Sequence, residues 1–219
     1  MQLVIGNKNY SSWSLRPWLL LKHYELPFEE IAISLFSAGY KEELAKHSPT
    51  LKVPVLKDGD ITIWDSLAIC EYLSEKFLQG KAYPVDVEER GLCRSYCNEM
   101  HSGFMAIRSE MPMNCRARRS LQISDAAREE CKRVDKLFVE ARERFAGRGE
   151  YLFGDFSIAD CMFAPLVMRF TTYGVELSET SQKYLSVMLK NPALAAWIND
   201  ARNDTKILSD FELGEEINP

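Results

Sequence analysis

The sequence of 219 residues contains six cysteines but no pair of them in a CxxC arrangement. It also lacks, at its start, the basic stretch and small-residue cleavage site of a secretory signal peptide. Without a secretory context these cysteines do not indicate a disulfide framework. We therefore expect a reducing, cytoplasmic environment, in which the cysteines pack in the core as small apolar side chains.

Long apolar runs and an excess of positive charge are absent as well. No run approaches the ~18 residues that a membrane-spanning helix needs. Lys and Arg number 27 against 32 Asp and Glu, which gives a net charge of −5. That balance provides no general attraction to nucleic acid or acidic membranes, so neither is expected as a partner. One basic run, Arg116–Arg119, is expected to be a solvated helix end or loop, with contact to an anion as the alternative.

Residues 1–79 alternate between strand and helix patterns. Asp58-Gly59 lies between two apolar segments and is a strong signal for a β-hairpin. A helix between two strands implies a parallel, right-handed crossover for the earlier part. The order βαβαββα is the thioredoxin-like pattern, and its predicted elements are the strands Leu3–Gly6, Phe28–Leu35, Val53–Leu56 and Ile61–Trp64 and the helices Ser14–Glu25, Tyr40–Lys46 and Asp65–Leu78.

Strand patterns stop after a predicted linker over residues 80–85, and residues 86–219 are expected to form an all-α domain. The segment Ser157–Asp160 predicts a helix start, because a hydroxyl cap is followed three residues later by an acid. The chain is thus expected to hold one α/β domain and one helical domain, with predicted helices over Val87–Glu110, Ser124–Ala146, Ser157–Thr172, Ser178–Lys190 and Pro192–Arg202.

Three short segments carry the chemistry: Ser11–Pro17, Val53-Pro54 and Asp65-Ser66. The first leads from a strand into a helix, where backbone N–H groups have no partner and the macrodipole attracts negative charge. Proline is expected only in a first helical turn, which places the helix start near Ser14 and leaves Ser11 and Ser12 on the loop.

Each segment also has a purely structural interpretation. At least one of the three serines in Ser11–Ser14 is expected to cap the helix, and Asp65 or Ser66 to cap the next one. Arg16 is expected to form an ion pair inside the protein. Trans is the default for Val53-Pro54, whereas a cis bond would present the N–H and C=O of Val53 to an extended peptide.

In their joint order, these segments resemble the glutathione S-transferase family over essentially the full chain. The serine-type branch fits best, and Ser11–Arg16 looks most like the zeta class. Ser157–Asp160 is similar to the capping motif of that family. The resemblance implies a thioredoxin-like domain that binds glutathione as co-substrate, a helical domain, a homodimer and a mechanism without a metal.

The resemblance also implies residue roles. A hydroxyl in the first loop, Ser11 with Ser12 as close competitor, is expected to hydrogen-bond the glutathione sulfur and stabilise its thiolate. Ser11 itself is not the nucleophile in this scheme. The other implied roles are pairing with the cysteinyl backbone for Val53 before a cis Pro54, binding of the γ-glutamyl end for Asp65 and Ser66, and contact with the glycine carboxylate for Lys52 and, less directly, His47.

One residue departs from the zeta pattern, because Trp13 stands where that class carries a cysteine. This replacement argues against zeta-type maleylacetoacetate isomerase activity and predicts a differently shaped acceptor pocket. No cysteine lies in the first loop, which argues against the thiol-transferring branches. Tyr10 lies beside the serines, so a tyrosine-based mechanism stays open as an alternative.

The acceptor pocket is expected beside the first long helix of the helical half. Met105 and Arg108 are three residues apart and share a helix face. Methionines suit a permissive apolar pocket, and an arginine favours acceptors that carry a carboxylate. Core packing for Met105 and a surface ion pair for Arg108 are the structural alternatives. The predicted pocket residues are Tyr10, Trp13, Met105, Arg108 and Met111.

The sequence therefore favours a cytoplasmic, detoxifying glutathione transferase that conjugates glutathione to small hydrophobic electrophiles. Two alternatives stay open: a zeta-like isomerase or dehalogenase that uses glutathione as cofactor, and a non-catalytic binding protein with the same fold.

Overall fold

The computed structural model describes residues 1–217. The N-terminal part has the predicted order βαβαββα. Its strands form one mixed sheet in the order β2-β1-β3-β4, with β1 parallel to β2 and antiparallel to β3. The thioredoxin-like prediction is confirmed, with the elements β1 (Gln2–Ile5), α1 (Ser12–His23), β2 (Glu29–Ala32), α2 (Tyr40–Ala45), β3 (Val55–Asp58), β4 (Ile61–Trp64) and α3 (Ser66–Leu78).

The sheet separates two apolar layers. Leu3 and Ile5 point into the main core with α1 and α3, whereas Val4, paired with Val55 in register, packs with Leu44 of α2 on the other face. This alternation follows from the two-residue period of a strand. The predicted strand Phe28–Leu35 is too long, and the predicted strand Val53–Leu56 is shifted along the chain. Only the residues that pair with a neighbouring strand form β-structure.

The C-terminal part is helical and is centred on α7, most of which is buried. Asp160 accepts hydrogen bonds from the N–H and hydroxyl of Ser157 at 2.8 and 2.9 Å, which confirms the predicted capping box. Its other oxygen binds the N–H of Leu152 and the hydroxyl of Tyr184. The helices are α4 (Val87–Ser102), α5 (Met105–Glu110), α6 (Asp125–Arg144), α7 (Ile158–Tyr173), α8 (Glu179–Lys190) and α9 (Pro192–Asn203).

The prediction of one helix over Val87–Glu110 is wrong. The helix breaks at Gly103 and Phe104, where Phe104 has a φ of +59°. A Cβ on Gly103 would lie 2.8 Å from the carbonyl oxygen of Glu99, so glycine permits the close turn. The guanidinium of Arg108 then donates to the carbonyls of Met100 and His101, which satisfies the end of α4.

The sequence pattern also misses a short antiparallel ladder in the helical part. β5 (Arg119–Ser120) pairs with β6 (Glu215–Glu216) and ties the C-terminal tail to the preceding α5–α6 connection. The basic run Arg116–Arg119 is therefore not solvated, as described below. A two-residue ladder between segments so far apart in sequence leaves no local periodicity.

All six cysteines are buried and unpaired, in agreement with the expected core packing. Burial raises the pKa of Cys115 to about 12 and that of Cys131 to about 11, so neither thiol is reactive at neutral pH. Of the helices in residues 1–217, none has the length and apolar character that crossing a membrane requires.

Candidate active site

A cavity of about 500 Å³ lies where the two parts of the chain meet. Its walls come from the start of α1, the α2–β3 connection, α5, α7 and the C-terminal tail. It brings together most of the residues predicted for the site: Tyr10, Ser11, Ser12, Trp13, Lys52, Val53, Met105 and Arg108. It is not lined by Pro54, Asp65, Ser66 or Met111.

The helix α1 begins at Ser12, two residues earlier than predicted. Pro17 therefore lies in the second turn, where its missing N–H removes one intrahelical bond. The helix tolerates this loss because Leu15, Trp18 and Leu19 are almost completely buried against the core. Ser12 opens the helix with its side chain at the cavity.

No side chain within residues 1–217 caps α1, so the expectation of a serine cap is wrong. The hydroxyl of Ser11 instead donates to the hydroxyl of Ser14 at 2.7 Å, and that oxygen accepts the N–H of Gly6 at 3.1 Å. The N–H groups of Trp13 and Ser14 have no partner among the described residues. The positive end of the helix dipole is thus left open toward the cavity.

The ring of Tyr10 lines the cavity, but its hydroxyl is used elsewhere. It donates to Oε1 of Glu212 at 2.5 Å and accepts from Nη2 of Arg116 at 2.7 Å and from the N–H of Leu208 at 3.2 Å. Burial and the bond to Glu212 raise the pKa of Tyr10. The structure therefore gives the tyrosine a structural role and does not place its hydroxyl at the start of α1.

The same contacts fix the C-terminal tail over the cavity. Glu212 forms ion pairs with Arg116 at 2.9 Å and with Arg119, and Leu208 and Phe211 become cavity walls. The expectation that Arg116–Arg119 is a solvated run is corrected, because two of its arginines bind one partly buried carboxylate of the tail. The alternative, that the run contacts an anion, holds for Arg116 and Arg119, whose anion is the carboxylate of Glu212 in the same chain.

Asp65 and Ser66 start α3 beside the cavity. Oδ1 of Asp65 accepts the N–H groups of Leu67 and Ala68 at 2.9 and 3.1 Å, so this residue caps the helix. Its backbone lies at φ +78°, a conformation that costs roughly 1–3 kcal/mol outside glycine. Its Oδ2 is 3.0 Å from Nε2 of His101 on α4, which joins the two parts of the chain.

Arg16 does not form the predicted ion pair. It is 1% exposed, and its Nη1 donates to the hydroxyl of Ser66 at 3.2 Å while its Nε has no partner. Its guanidinium lies 4.3 Å from the centre of the Trp13 ring. The buried charge is thus held by an aromatic face and a neutral hydroxyl rather than by a carboxylate.

The peptide bond between Val53 and Pro54 is cis, as the resemblance implies. The N–H and C=O of Val53 have no partner among the described residues, and Val53 and Lys52 line the cavity. His47 does not reach it, since its Nδ1 is 3.1 Å from Nζ of Lys57 and its Nε2 is 3.6 Å from Glu43.

The predicted acceptor wall is brought together only in part. Met105 is exposed at the cavity, and Trp13 is 37% exposed there, with the guanidinium of Arg108 4.9 Å from its ring centre. Among the described residues, no carboxylate forms an ion pair with Arg108. Met111 is fully buried, because α5 ends at Glu110 and the chain turns into the core.

Comparison with known proteins adds to this geometry. Residues 10–76 match the family of the glutathione S-transferase N-terminal domain, and residues 124–200 match the family of its C-terminal domain. This protein belongs to the glutathione S-transferase family. The family, fold and enzyme class predicted from the sequence are confirmed.

Three relatives illustrate the similarity of this glutathione S-transferase to others. Glutathione S-transferase 1 of Dianthus caryophyllus is 31% identical over 183 residues, which cover 82% of this chain and 81% of that protein. Maleylacetoacetate isomerase of Rattus norvegicus is 29% identical over 191 residues, covering 84% and 83%. A Burkholderia glutathione transferase homolog, crystallised with bound glutathione, has a TM-score of 0.69 at 26% identity, covering 93% and 98%.

Several residues of the site in this glutathione S-transferase were not predicted. Asn9 is fully buried, and its side chain bonds Asn114 at 2.9 Å and the N–H of Arg116 at 3.0 Å, which anchors the loop before α1. The acidic tail opposite the run Arg116–Arg119 is a charge signal that points to their pairing. Arg169, Leu208 and Phe211 gave no local signal. In residues 1–217 no cluster of three or more His, Cys, Asp or Glu side chains fits a metal ion.

The pair of Asp65 and His101 generates a prediction about pH. Burial, together with Arg16 and Arg108, lowers the pKa of His101 from 6.5, while Asp65 raises it. We expect an NMR titration to place this pKa below 6.5 and the substitution Asp65→Asn to lower it further. His23, whose pKa is lowered by its own burial, serves as the internal control and should not respond.

The lowered pKa of His101 also determines how the stability of the protein changes with pH. Because the folded state binds the proton more weakly, the unfolded state holds more protons as the pH falls below 6.5. The free energy of unfolding should therefore decrease as the pH falls below 6.5. The substitution His101→Gln should make this dependence of stability on pH weaker. A pKa of His101 above 6.5, or an upward shift in Asp65→Asn, would contradict this assignment.

Proposed function

We propose that this protein conjugates glutathione to small electrophiles and that the start of α1 stabilises the glutathione thiolate. The observation that carries the proposal is that four donors belong to the start of α1: the hydroxyls of Ser11 and Ser12, and the N–H groups of Trp13 and Ser14, which have no partner within residues 1–217. Ser11, Ser12 and Trp13 line the cavity. All four groups are hydrogen-bond donors, and together they form a preorganised binding site for a soft anion.

The magnitudes are sufficient without a metal or a general base. A thiol with a pKa near 8.5 is only a few per cent ionised at neutral pH, and lowering that pKa by about two units requires roughly 2.7 kcal/mol. A charge-assisted hydrogen bond from a hydroxyl contributes about 1.5–3 kcal/mol. The helix N-terminus adds about 0.3–1 kcal/mol, and more where it is partly buried.

The hydrogen-bond chain behind Ser11 supports this role. Hydroxyl hydrogens rotate freely, so Ser14 can donate to Ser11 once its own oxygen holds the N–H of Gly6. The hydroxyl of Ser11 would then be released to donate to the sulfur. Each donor in such a chain strengthens the next. The side chain of Ser12 has no partner in the part of the chain that the structure describes, and Ser12 is the competing donor.

Other groups at or beside the cavity fit the rest of a tripeptide. The free N–H and C=O of Val53 suit the backbone of an extended cysteinyl residue. Lys52 lies on the same wall and suits a terminal carboxylate. Asp65, with one oxygen facing His101, and Ser66, at the first position of α3, suit the ammonium and carboxylate of the γ-glutamyl end.

The function is tested by the pKa of the bound thiol, measured from thiolate absorbance against pH. We expect Ser11→Ala to raise that pKa by about one to two units, because one charge-assisted hydrogen bond is lost, and to lower kcat at neutral pH in proportion. Ser12→Ala should act in the same way if Ser12 is the donor. Ser95→Ala, which removes an exposed hydroxyl on α4, is the matched control.

An unchanged thiol pKa in the Ser11→Ala/Ser12→Ala double variant would contradict the role of these hydroxyls. Absence of glutathione binding in the wild type would instead remove the proposed function as a whole. Titration calorimetry with glutathione distinguishes these two results.

We also propose that the protein forms a homodimer through the edge of the sheet at β4. β4 lies at the edge of the sheet, and Ile61 and Trp64 on it expose 47% and 49% of their surface. Val87 at the start of α4 exposes 67%. Large apolar side chains exposed at a sheet edge favour a protein partner. Sedimentation should give a dimer for the wild type and a monomer for Trp64→Glu, with Ile207→Glu in the tail as control. A monomeric wild type at micromolar concentration would contradict the proposal.

A further inference from the structure

Three arginines from different helices line the cavity: Arg16 of α1, Arg108 of α5 and Arg169 of α7. Arg16 and Arg169 are only 1% and 6% exposed. The ion pairs made by arginines in residues 1–217 involve other arginines, and these three have no carboxylate partner. Buried charges in proteins are normally paired, so this cluster requires an explanation.

Their hydrogen bonds inside the chain go only to neutral acceptors. Arg16 donates to the hydroxyl of Ser66, Arg108 to two main-chain carbonyls, and Nε of Arg169 to the carbonyl of Met111 at 2.8 Å. The Nε atoms of Arg16 and Arg108 are buried without a partner among residues 1–217. These bonds orient the guanidinium groups, and none of the acceptors carries a charge.

The charges persist at neutral pH. Burial and the neighbouring guanidinium of Arg108 lower the pKa of Arg16 to about 9 and that of Arg169 to about 10. Both values lie above neutrality, so the cavity holds net positive charge.

The arginines come from the two parts of the chain that form the cavity. Arg16 lies beside Ser66 and therefore belongs to the end where the proposed function places glutathione. Arg108 and Arg169 lie on the helical side, with Pro112 and Pro165, where the electrophile must enter. The remaining wall on that side is apolar and is formed by Phe36, Met105, Leu208 and Phe211.

We propose that Arg108 and Arg169 form a subsite for a carboxylate on the acceptor, so that the substrate is an electrophile with an apolar body and one anionic end. The planar fork of a guanidinium matches a carboxylate with two parallel hydrogen bonds. The Trp13 ring, 4.9 Å from the guanidinium of Arg108, helps hold that fork in place. This inference rests on the proposed function and replaces the expected purely hydrophobic electrophile.

The test compares two acceptors that differ only in charge: a chloronitrobenzoate, with its chlorine ortho to the nitro group and para to the carboxylate, and the corresponding amide. In both, the glutathione sulfur forms a bond to the ring carbon, the carbon–chlorine bond breaks, chloride leaves and the thiol proton passes to water. Each kcat/KM is divided by the uncatalysed rate constant with glutathione, which removes the difference in intrinsic reactivity.

We expect the wild type to favour the carboxylate over the amide on this normalised scale. Arg169→Met should lower the carboxylate-to-amide ratio by about tenfold or more, since a charge-assisted hydrogen bond is lost. Arg108→Met should lower it as well, and Arg169→Lys, which keeps the charge but not the fork, should lower it less. Arg128→Met, at an exposed ion pair on α6, is the matched control and should leave the ratio unchanged.

Equal preference in the wild type, or a ratio that Arg169→Met and Arg108→Met do not change, would overturn the subsite. Calorimetry with the two arylglutathione conjugates separates this failure from failure of the proposed function. Tighter binding of the carboxylate conjugate, lost in Arg169→Met, supports the subsite even if neither acceptor is turned over. Equal binding of the two conjugates, or binding of neither, overturns it.

Discussion

The open N-terminus of α1 is the constraint on which the rest of the site depends. This helix is buried by the sheet, α3 and α7, so its first turn cannot move to find other partners. Its N–H groups at Trp13 and Ser14 have no capping side chain within residues 1–217, and Trp13 lines the cavity. The hydroxyl of Ser11 donates to Ser14 instead of capping the helix. An anion bound there gains donors that the fold has already positioned, which is the basis of preorganised stabilisation.

The second part of the chain completes this position and gives it walls. α7 packs directly against α1 and brings Arg169 to the cavity, while Asp65 and His101 connect the start of α3 to the end of α4. The tail is held by Glu212, which binds Tyr10 and two arginines and so covers the cavity with apolar side chains. The start of α1 and the helical walls of the cavity are therefore fixed relative to each other by contacts between residues far apart in the sequence.

Local signals explain what could be predicted from the sequence. The Asp-Gly hairpin and the capping box of Ser157–Asp160 depend on neighbours within a few residues, and they appear where expected. The strand–loop–helix around Ser11 is also a local pattern, but its helix begins two residues earlier than predicted. Tyr10 bonds a residue 202 positions away, and Arg16 donates to the hydroxyl of Ser66 on another helix, so neither role has a local pattern. The helix break at Gly103 was missed because a single glycine interrupts an otherwise continuous helical periodicity.

A crystal structure of the protein with glutathione bound would test most directly whether the start of α1 binds the sulfur. We expect the sulfur within hydrogen-bond distance of the hydroxyl of Ser11 or Ser12, in line with the N–H groups of Trp13 and Ser14. We also expect the cysteinyl backbone to pair with Val53. A sulfur placed against Tyr10 or Trp13 and away from the start of α1, or glutathione bound outside the cavity, would contradict this expectation.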